Sequence, residues 1–226
     1  MTGKAIIGEI TPNKLYIGNT EVKKAYIGSN LIFQKNKQLN PLFSIYGEPT
    51  ITEDGVMKGY ADATNYSNQG IILTAEGLTR MKPGTIISLT YNYTERYADG
   101  REFLCGFPTY GFNSKTPAYP VIYNWDKVVL TRGNGEQTLS NNRSIDNNVK
   151  ITTTTRWNRD SIELLDNSGE VISTMDISSN PMPFSRASDT KWGVGYIADT
   201  FFRGNIYLAE SYIQFPDSNK KEYFYE

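Results

Sequence analysis

A ten-residue repeat at the start of the chain constrains the fold more than any other feature. Lys4-Ala5-Ile6-Ile7-Gly8 recurs as Lys14-Leu15-Tyr16-Ile17-Gly18 and again as Lys24-Ala25-Tyr26-Ile27-Gly28. The lysine, the Ile-Gly pair and the apolar position before it hold one register three times, and Leu31-Ile32-Phe33 adds a further apolar run. A segment of about 35 residues buries too little surface to stand alone. It needs copies of itself, a partner, or the rest of the chain. The repeat therefore reads as an assembly module. Its carrying positions are Lys4, Ile7, Gly8, Lys14, Tyr16, Ile17, Gly18, Lys24, Tyr26, Ile27 and Gly28.

Gly18-Asn19-Thr20, Gly28-Ser29-Asn30 and Pro12-Asn13 are turn signals between apolar runs. They predict short antiparallel strands near 4–9, 14–18, 21–27 and 31–35. Gln34 to Pro41 is polar and ends in proline, so it reads as a linker. The expected organisation is a β-repeat segment over 1–38 and one larger domain over 39–226.

The larger part reads as strand after strand. The chain has 16 Tyr, 10 Phe and many Thr, Ile and Val, which favour pleated structure, while 19 Gly and 10 Pro supply turns. Expected strands are Gly70–Thr74, Thr85–Tyr97, Arg101–Phe107, Tyr119–Tyr123, Lys127–Thr131, Val149–Trp157, Ser161–Leu165, Glu170–Met175, Gly193–Ala198, Gly204–Ala209 and Ser211–Phe215. Asp99-Gly100, Asn124-Trp125-Asp126 and Asn167-Ser168-Gly169 are the expected turns. Gly133 to Asn148 is polar and Asn-rich, and reads as an exposed loop, either for recognition or as a solvated spacer. Helix is expected only as a turn or two near Asp176-Ile177-Ser178. Many short strands at this spacing predict an all-β protein with an antiparallel β-sandwich.

Charge and cysteine usage narrow the function. The net charge is -1, which does not suggest nucleic acid as a partner. Residues 1–38 hold six lysines and two acidic residues, a net +4, leaving -5 on the remainder. This basic foot either meets an acidic surface or simply keeps exposed strands soluble and blunts their edges. A single cysteine, Cys105, excludes an internal disulfide, and its apolar flanks place it in the core. No stretch has the length of a membrane span, and no apolar h-region opens the chain. Synthesis in a cytoplasm, with release by lysis, is the expectation.

The absence of histidine removes Ser-His and Cys-His nucleophile systems and the commonest transition-metal ligand. One cysteine is too few for a zinc site. No Walker-type glycine loop is present.

The carboxy-terminal part resembles the concanavalin A-like jelly-roll family, in its laminin-G-type (LamG) members. The carrying residues are Trp192-Gly193-Val194-Gly195-Tyr196, then Phe202-Arg203-Gly204-Asn205-Ile206-Tyr207-Leu208, with Ile162-Glu163-Leu164-Leu165-Asp166-Asn167-Ser168-Gly169 upstream. The resemblance spans roughly residues 42–215. The repeat is similar to lysine and Tyr-Ile-Gly-Asn/Ser segments that precede a separate module in fibre or appendage proteins of tailed phages, especially the crAss-like group infecting Bacteroidota. Together these resemblances imply a non-enzymatic virion protein located on the particle. Its foot would contact other virion proteins, the chain would be a homo-oligomer, and the jelly roll would bind host-surface or mucosal glycan.

The glycan reading singles out the stretch from Phe107 to Trp125 and its neighbour. It supplies the aromatic platforms and planar polar groups that sugar sites use: Tyr110, Phe112, Asn113, Tyr119, Tyr123, Asn124, Trp125 and Asp126. The competing assignment for each aromatic is the core or rim of a sandwich, and Trp157 and Trp192 fit the core better. Two alternatives remain beside glycan binding: a ligand-free decoration protein, and a glycoside hydrolase of laminarinase-like fold. A hydrolase needs two carboxyls across the scissile bond. The nearest pairs are Glu163 with Asp166, whose odd spacing puts them on opposite strand faces, and Asp99 with Glu102, where Asp99 is explained by its turn. Calcium is compatible with the LamG resemblance, with Asp54, Asp62, Asp146 and Asp189 in loop-like contexts, but no spacing assigns it and no cofactor is expected.

Overall fold

The computed structural model describes residues 15–17, 20–22, 24–27, 30–34, 37–59, 70–94, 103–107, 121–124, 127–132, 135–140, 148–178, 181–182, 184, 191–195 and 202–226. The chain divides into two compact units, Met1–Gln38 and Leu39–Glu226.

Among its described residues, the first unit contains two hairpins. Strand β1 (Leu15–Ile17) pairs with β2 (Thr20–Val22), and β3 (Lys24–Ile27) pairs with β4 (Asn30–Gln34). Ile17 faces Thr20 and Ile27 faces Asn30, so each connection is two residues opening on glycine. The strand expected over 21–27 is two strands, because its halves serve different hairpins. The strand expected over 4–9 lies outside the described residues.

The second unit is a sandwich of two antiparallel sheets. Its strands are β5 (Phe43–Tyr46), β6 (Val56–Lys58), β7 (Gly70–Leu73), β8 (Thr85–Tyr93), β9 (Phe103–Gly106), β10 (Val121–Asn124), β11 (Lys127–Arg132), β12 (Gly135–Ser140), β13 (Ile151–Trp157), β14 (Ser161–Leu165), β15 (Val171–Asp176), β16 (Gly193–Val194), β17 (Gly204–Tyr207), β18 (Tyr212–Gln214) and β19 (Glu222–Tyr223). One sheet has the order β12-β11-β10-β9-β16-β7-β5. The other has the order β15-β14-β13-β8-β17-β6, with β18 also on β8 and β19 on β18. The long strand β8 organises the second sheet: β13 covers one edge over seven residues, and β17 and β18 share the other.

Alternation on β8 fills the core. Ile87, Leu89, Tyr91 and Tyr93 are 1–3% exposed and point between the sheets with Ile162, Leu164, Ile206 and Met57. Ile71, Leu73, Leu104, Cys105 and Val194 come from the other sheet. Five aromatic side chains interleave across the interface. Phe107 packs on Trp157 at 5.9 Å, Trp157 on Trp192 at 6.3 Å, Trp192 on Phe224 at 6.3 Å, and Phe224 on Phe43 at 4.5 Å. Successive members come from alternate sheets, so the column fastens one to the other. Each such pair adds about 0.5–1.5 kcal/mol beyond its buried area. Trp157 Nε1 donates to Thr155 Oγ1 at 2.8 Å, whereas Trp192 Nε1 has no acceptor among the described residues. Cys105 is fully buried, and burial alone pushes its thiol far above the ordinary range.

The glycine of the Phe202–Ile206 motif has a steric cause. A Cβ at Gly204 would run into the Asn92 carbonyl oxygen of β8. Phe202 packs edge-on against Tyr91 at 6.0 Å and Tyr93 at 5.3 Å, and Ile206 is core.

Several sequence expectations are corrected. The helix is α1 (Ala75–Arg80), not a turn near Asp176: Thr74 caps it by accepting from Gly77 N, with Glu76 in its first turn and Arg80 in its last. Asp176 instead ends β15, and its carboxylate accepts from Ser178 N at 2.8 Å. The expected linker is structured at both ends. Gln34 belongs to β4; Leu39 bridges to Tyr225, and Asn40 is buried with its N–H on Phe224 O at 3.0 Å. Within the expected loop 133–148, Gly135–Ser140 forms β12, paired along its whole length with β11. Strand β8 ends at Tyr93 rather than Tyr97, and the expected closing strands are shorter than their apolar patterns. The C-terminal strand β19 has no counterpart in the sequence reading.

A polar clasp holds that C-terminal strand. Arg80 lies over the Phe215 ring at 4.3 Å, donates to both Asp217 carboxylate oxygens at 3.1 and 3.3 Å, and sits 3.8 Å from Glu222. Lys220 reaches Glu222 at 2.8 Å. The hydrogen bond from Arg80 holds the Asp217 carboxyl below its ordinary value.

Three outcomes follow from this packing. Trp157→Phe should destabilise by about 1 kcal/mol more than Trp192→Phe in urea unfolding, because only the first substitution removes a satisfied N–H; equal losses would contradict the bonding described. Gly204→Ala should cost about 1–3 kcal/mol, since backbone rather than a flexible side chain must yield. Asp217 contributes stability that is complete above the ordinary carboxylate value near ~3.9 and is lost as pH falls through its lower folded value. Asp217→Asn should therefore flatten the acid limb of a pH–stability curve; an unchanged limb would remove the clasp from the account.

Candidate functional site

Most of the sequence-predicted binding residues lie outside the described residues: Tyr110, Phe112, Asn113, Tyr119, Trp125 and Asp126. Tyr123 and Asn124 belong to β10, opposite Val129 and Val128 of β11, so Asn124 is a strand residue rather than part of a turn. Phe107, at the head of that stretch, is 2% exposed and joins the aromatic column. Trp157 and Trp192 are fully buried. Of the assembly positions, Tyr16, Ile17, Lys24, Tyr26 and Ile27 lie on β1 and β3, while Lys4, Ile7, Gly8, Lys14, Gly18 and Gly28 fall outside the described residues.

The weighed carboxylates have structural partners. Glu163 accepts from Arg156 Nη1 at 2.9 Å across the β13–β14 pair. One Asp166 oxygen accepts from Ser168 N, Ser168 Oγ and Glu170 N at 2.7–2.9 Å, fixing the β14–β15 turn. Those bonds, that of the Ser168 side chain foremost, lower its pKa. Asp99 and Glu102 lie outside the described residues. Among the described residues, no group of three or more Asp, Glu, His or Cys could hold a metal ion. Asp54 sits in a turn before β6; Asp62, Asp146 and Asp189 lie outside the described residues.

The described residues build a different surface, the outer face of the β8 sheet. The alternation that turns Leu89 and Tyr91 inward turns Ser88, Thr90 and Asn92 outward. Register sets Thr154 opposite Ser88 and Thr152 opposite Thr90, and each hydroxyl pair is bonded at 2.9 Å. Asn92 Oδ1 accepts from both the backbone N and the side-chain Nδ2 of Asn205 at 3.0 Å. Ser88, Thr90 and Asn92 are themselves buried, so the ladder braces the sheet from beneath and only Thr152 at its margin is exposed.

Tyrosines flank the floor. Tyr207 carries Lys150 over its ring at 4.1 Å, and Lys150 also pairs with Glu210 at 2.7 Å. Tyr212 and Tyr223 meet edge to face at 5.7 Å, with Lys221 4.5 Å from the Tyr212 ring. Tyr223 is 37% exposed. The exposed Thr152 hydroxyl, the two lysines and the partly exposed rings are the groups on this sheet that could meet a polyhydroxylated ligand by hydrogen bonds and stacking. Sequence reasoning missed this face because its members come from β8, β13, β17, β18 and β19. The visible signal was the alternation Ser88-x-Thr90-x-Asn92 beside Thr152-x-Thr154. A cavity lined by Pro49, Met57, Lys58, Gly59, Gly195, Phe202 and Ile206 reaches into the core side of the sheet and has a volume near 20 Å³, which admits one water and no sugar.

No protein-family model matches this chain. No curated protein matches it either. Among solved structures, the chain is similar to a protein of unknown function from Shewanella oneidensis MR-1, at 11% identity and a TM-score of 0.41, the match covering 76% of each chain. It is also similar to Trypanosoma rangeli sialidase in complex with the inhibitor DANA, at 10% identity and a TM-score of 0.36. That match covers 73% of this chain and 29% of the sialidase. Neither likeness bears on what this chain binds or whether it catalyses a reaction.

Proposed function

We propose that this chain is a non-enzymatic structural protein of a tailed-phage virion, of fibre or appendage type. Residues 1–38 attach it to the particle, and the LamG-like sandwich presents a weak glycan-binding surface to the host or its mucosal surroundings. The observation that carries the reading is the division of the chain into two compact units. Among the described residues, the first unit holds two two-stranded hairpins, a form marginally stable in water on its own, and they precede a unit with an extensive core. A segment of that kind is explained by attachment, and attachment at the amino-terminal end leaves the sandwich free to present a surface. Multiple copies would raise the avidity of weak sites.

The non-enzymatic part is supported by the lack of histidine and by the engagement of Glu163, Glu210, Asp217 and Glu222 in ion pairs. The binding part is supported by the tyrosine-flanked face. A second reading, ligand-free decoration, draws support from Lys150 and Lys221, which already cover two of those rings.

A glycan array probed with the full chain separates the two. Retained glycans that are weakened at least about 10-fold by Tyr223→Ala, with unchanged unfolding, would support the sheet-face site. Loss through Trp125→Ala and not Tyr223→Ala would move the site to the 107–126 stretch, and an empty array would leave decoration. Immunogold labelling of phage particles tests location, and cleavage of any retained glycan would overturn the non-enzymatic assignment.

A further inference from the structure

On the outer face of the β8 sheet, two side-chain amides lie beneath one lysine. Building on the glycan-binding reading of this face, we propose that Asn92 and Asn205 hold a vicinal diol of an uncharged sugar, at a place that Lys150 covers until the sugar arrives.

Bonding fixes which way the two amides turn. A backbone N–H can only donate, so the Asn92 atom that accepts from the Asn205 backbone N at 3.0 Å is oxygen. The Asn205 atom that meets the same oxygen at 3.0 Å is then the amide nitrogen. Two groups are left over: Asn92 Nδ2, a donor, and Asn205 Oδ1, an acceptor. Neither has a partner among the described residues. Buried polar groups are ordinarily bonded, and Asn92 is only 7% exposed. An unused donor and an unused acceptor on neighbouring residues complement two adjacent hydroxyls, one accepting and one donating. The bond between the amides holds the pair in place before any ligand comes.

Register shows what covers them. Strands β13 and β17 flank β8 on opposite sides. Ile151 and Ile206 both lie opposite Tyr91. Lys150 therefore falls beside Asn92 at one edge of β8, and Tyr207 falls beside Thr90 at the other. The Lys150 ammonium nevertheless sits 4.1 Å from the Tyr207 ring and 2.7 Å from the Glu210 carboxylate. Lysine and tyrosine thus bridge the strand over Thr90 and Asn92, which accounts for the burial of these outward-facing polar residues. The bar is weakly fastened. Its ion pair joins side chains that are 45% and 50% exposed, and exposed pairs contribute little.

Movement of Lys150 away from Tyr207 uncovers the amide pair and the ring together. Asn205 and Tyr207 are two apart on β17, so they share the outer face. A sugar whose hydroxyls reach the amides then has a ring beside it on which to stack. The groups under the bar are uncharged, and Lys150 and Glu210 neutralise each other at its rim. That balance selects a neutral sugar over an acidic one.

The test is a saturation-transfer NMR titration of the full chain with methyl galactoside and methyl mannoside, each beside its 3-deoxy counterpart, which has no vicinal diol. The expected result is millimolar binding of at least one parent glycoside and none of its 3-deoxy form. Lys150→Ala should bind at least about 3-fold more tightly than the native chain, because the bar is gone. Two further substitutions are made in that background. Asn92→Asp keeps the oxygen that Asn205 needs and replaces only the free donor; Asn205→Ala removes the free acceptor. Each should weaken binding by at least about 5-fold while the folded spectrum of the sandwich is kept. Silence from both the native chain and Lys150→Ala at about 50 mM glycoside would overturn the inference. So would equal binding of the 3-deoxy sugars, unchanged or weaker binding by Lys150→Ala, or indifference to both amide substitutions. Glycans retained on an array through Tyr223 while these sugars fail would end the subsite and spare the face. Diol binding that obeys the substitutions while phage particles carry no label would support the subsite and end the virion reading.

Discussion

The sandwich depends on one interlocked set of rings. Phe107, Trp157, Trp192, Phe224 and Phe43 alternate between the two sheets, so neither sheet can shift without breaking aromatic contacts to the other. Aromatic side chains suit this task because each buries a large area with few rotamers to freeze. The column also binds distant chain regions: Phe43 is near the beginning of the unit, and Phe224 is almost its last residue. The clasp of Arg80 on Phe215, Asp217 and Glu222 keeps that last segment where Phe224 can complete the column.

With the interior fixed by apolar rings, the outer face of the β8 sheet is free to carry polar groups at set positions. Its hydroxyl and amide ladder is bonded internally, which holds Thr152, Thr154 and Asn205 in place without a ligand. Gly204 belongs to the same construction, because strand β17 comes too close to Asn92 for any side chain at that position.

Local chemistry made much of the fold legible. The β14–β15 hairpin follows from Asp166-Asn167-Ser168-Gly169, where one carboxylate oxygen collects three donors. The strand pairings of the first unit were signalled by the turn residues written between them, and the burial of Cys105 by its apolar flanks. The misses share a cause. Helix α1 depends on a Thr74 cap whose own hydroxyl also donates to Leu42 O, 32 positions away, so a six-residue helix with a central glycine gave no periodic signal. Leu39 and Asn40 looked like linker because their partners, Tyr225 and Phe224, are at the far end of the chain. Strand β12 was hidden by its polar composition, since pairing with β11 needs backbone groups and not apolar side chains.

The sequence by itself determined an all-β chain, its Asp166–Gly169 turn, the repeat at its start, and the lack of histidine and of a second cysteine. Those properties reside in residue type and in spacings of a few positions. Tertiary structure alone decided which strands became neighbours, and hence that Asn92 meets Asn205 from 113 positions away and that Tyr212 faces Tyr223. The physical reason is that strand pairing uses the same backbone groups in every residue. The partner is selected by which arrangement closes the aromatic core, and that choice cannot be read from either strand alone.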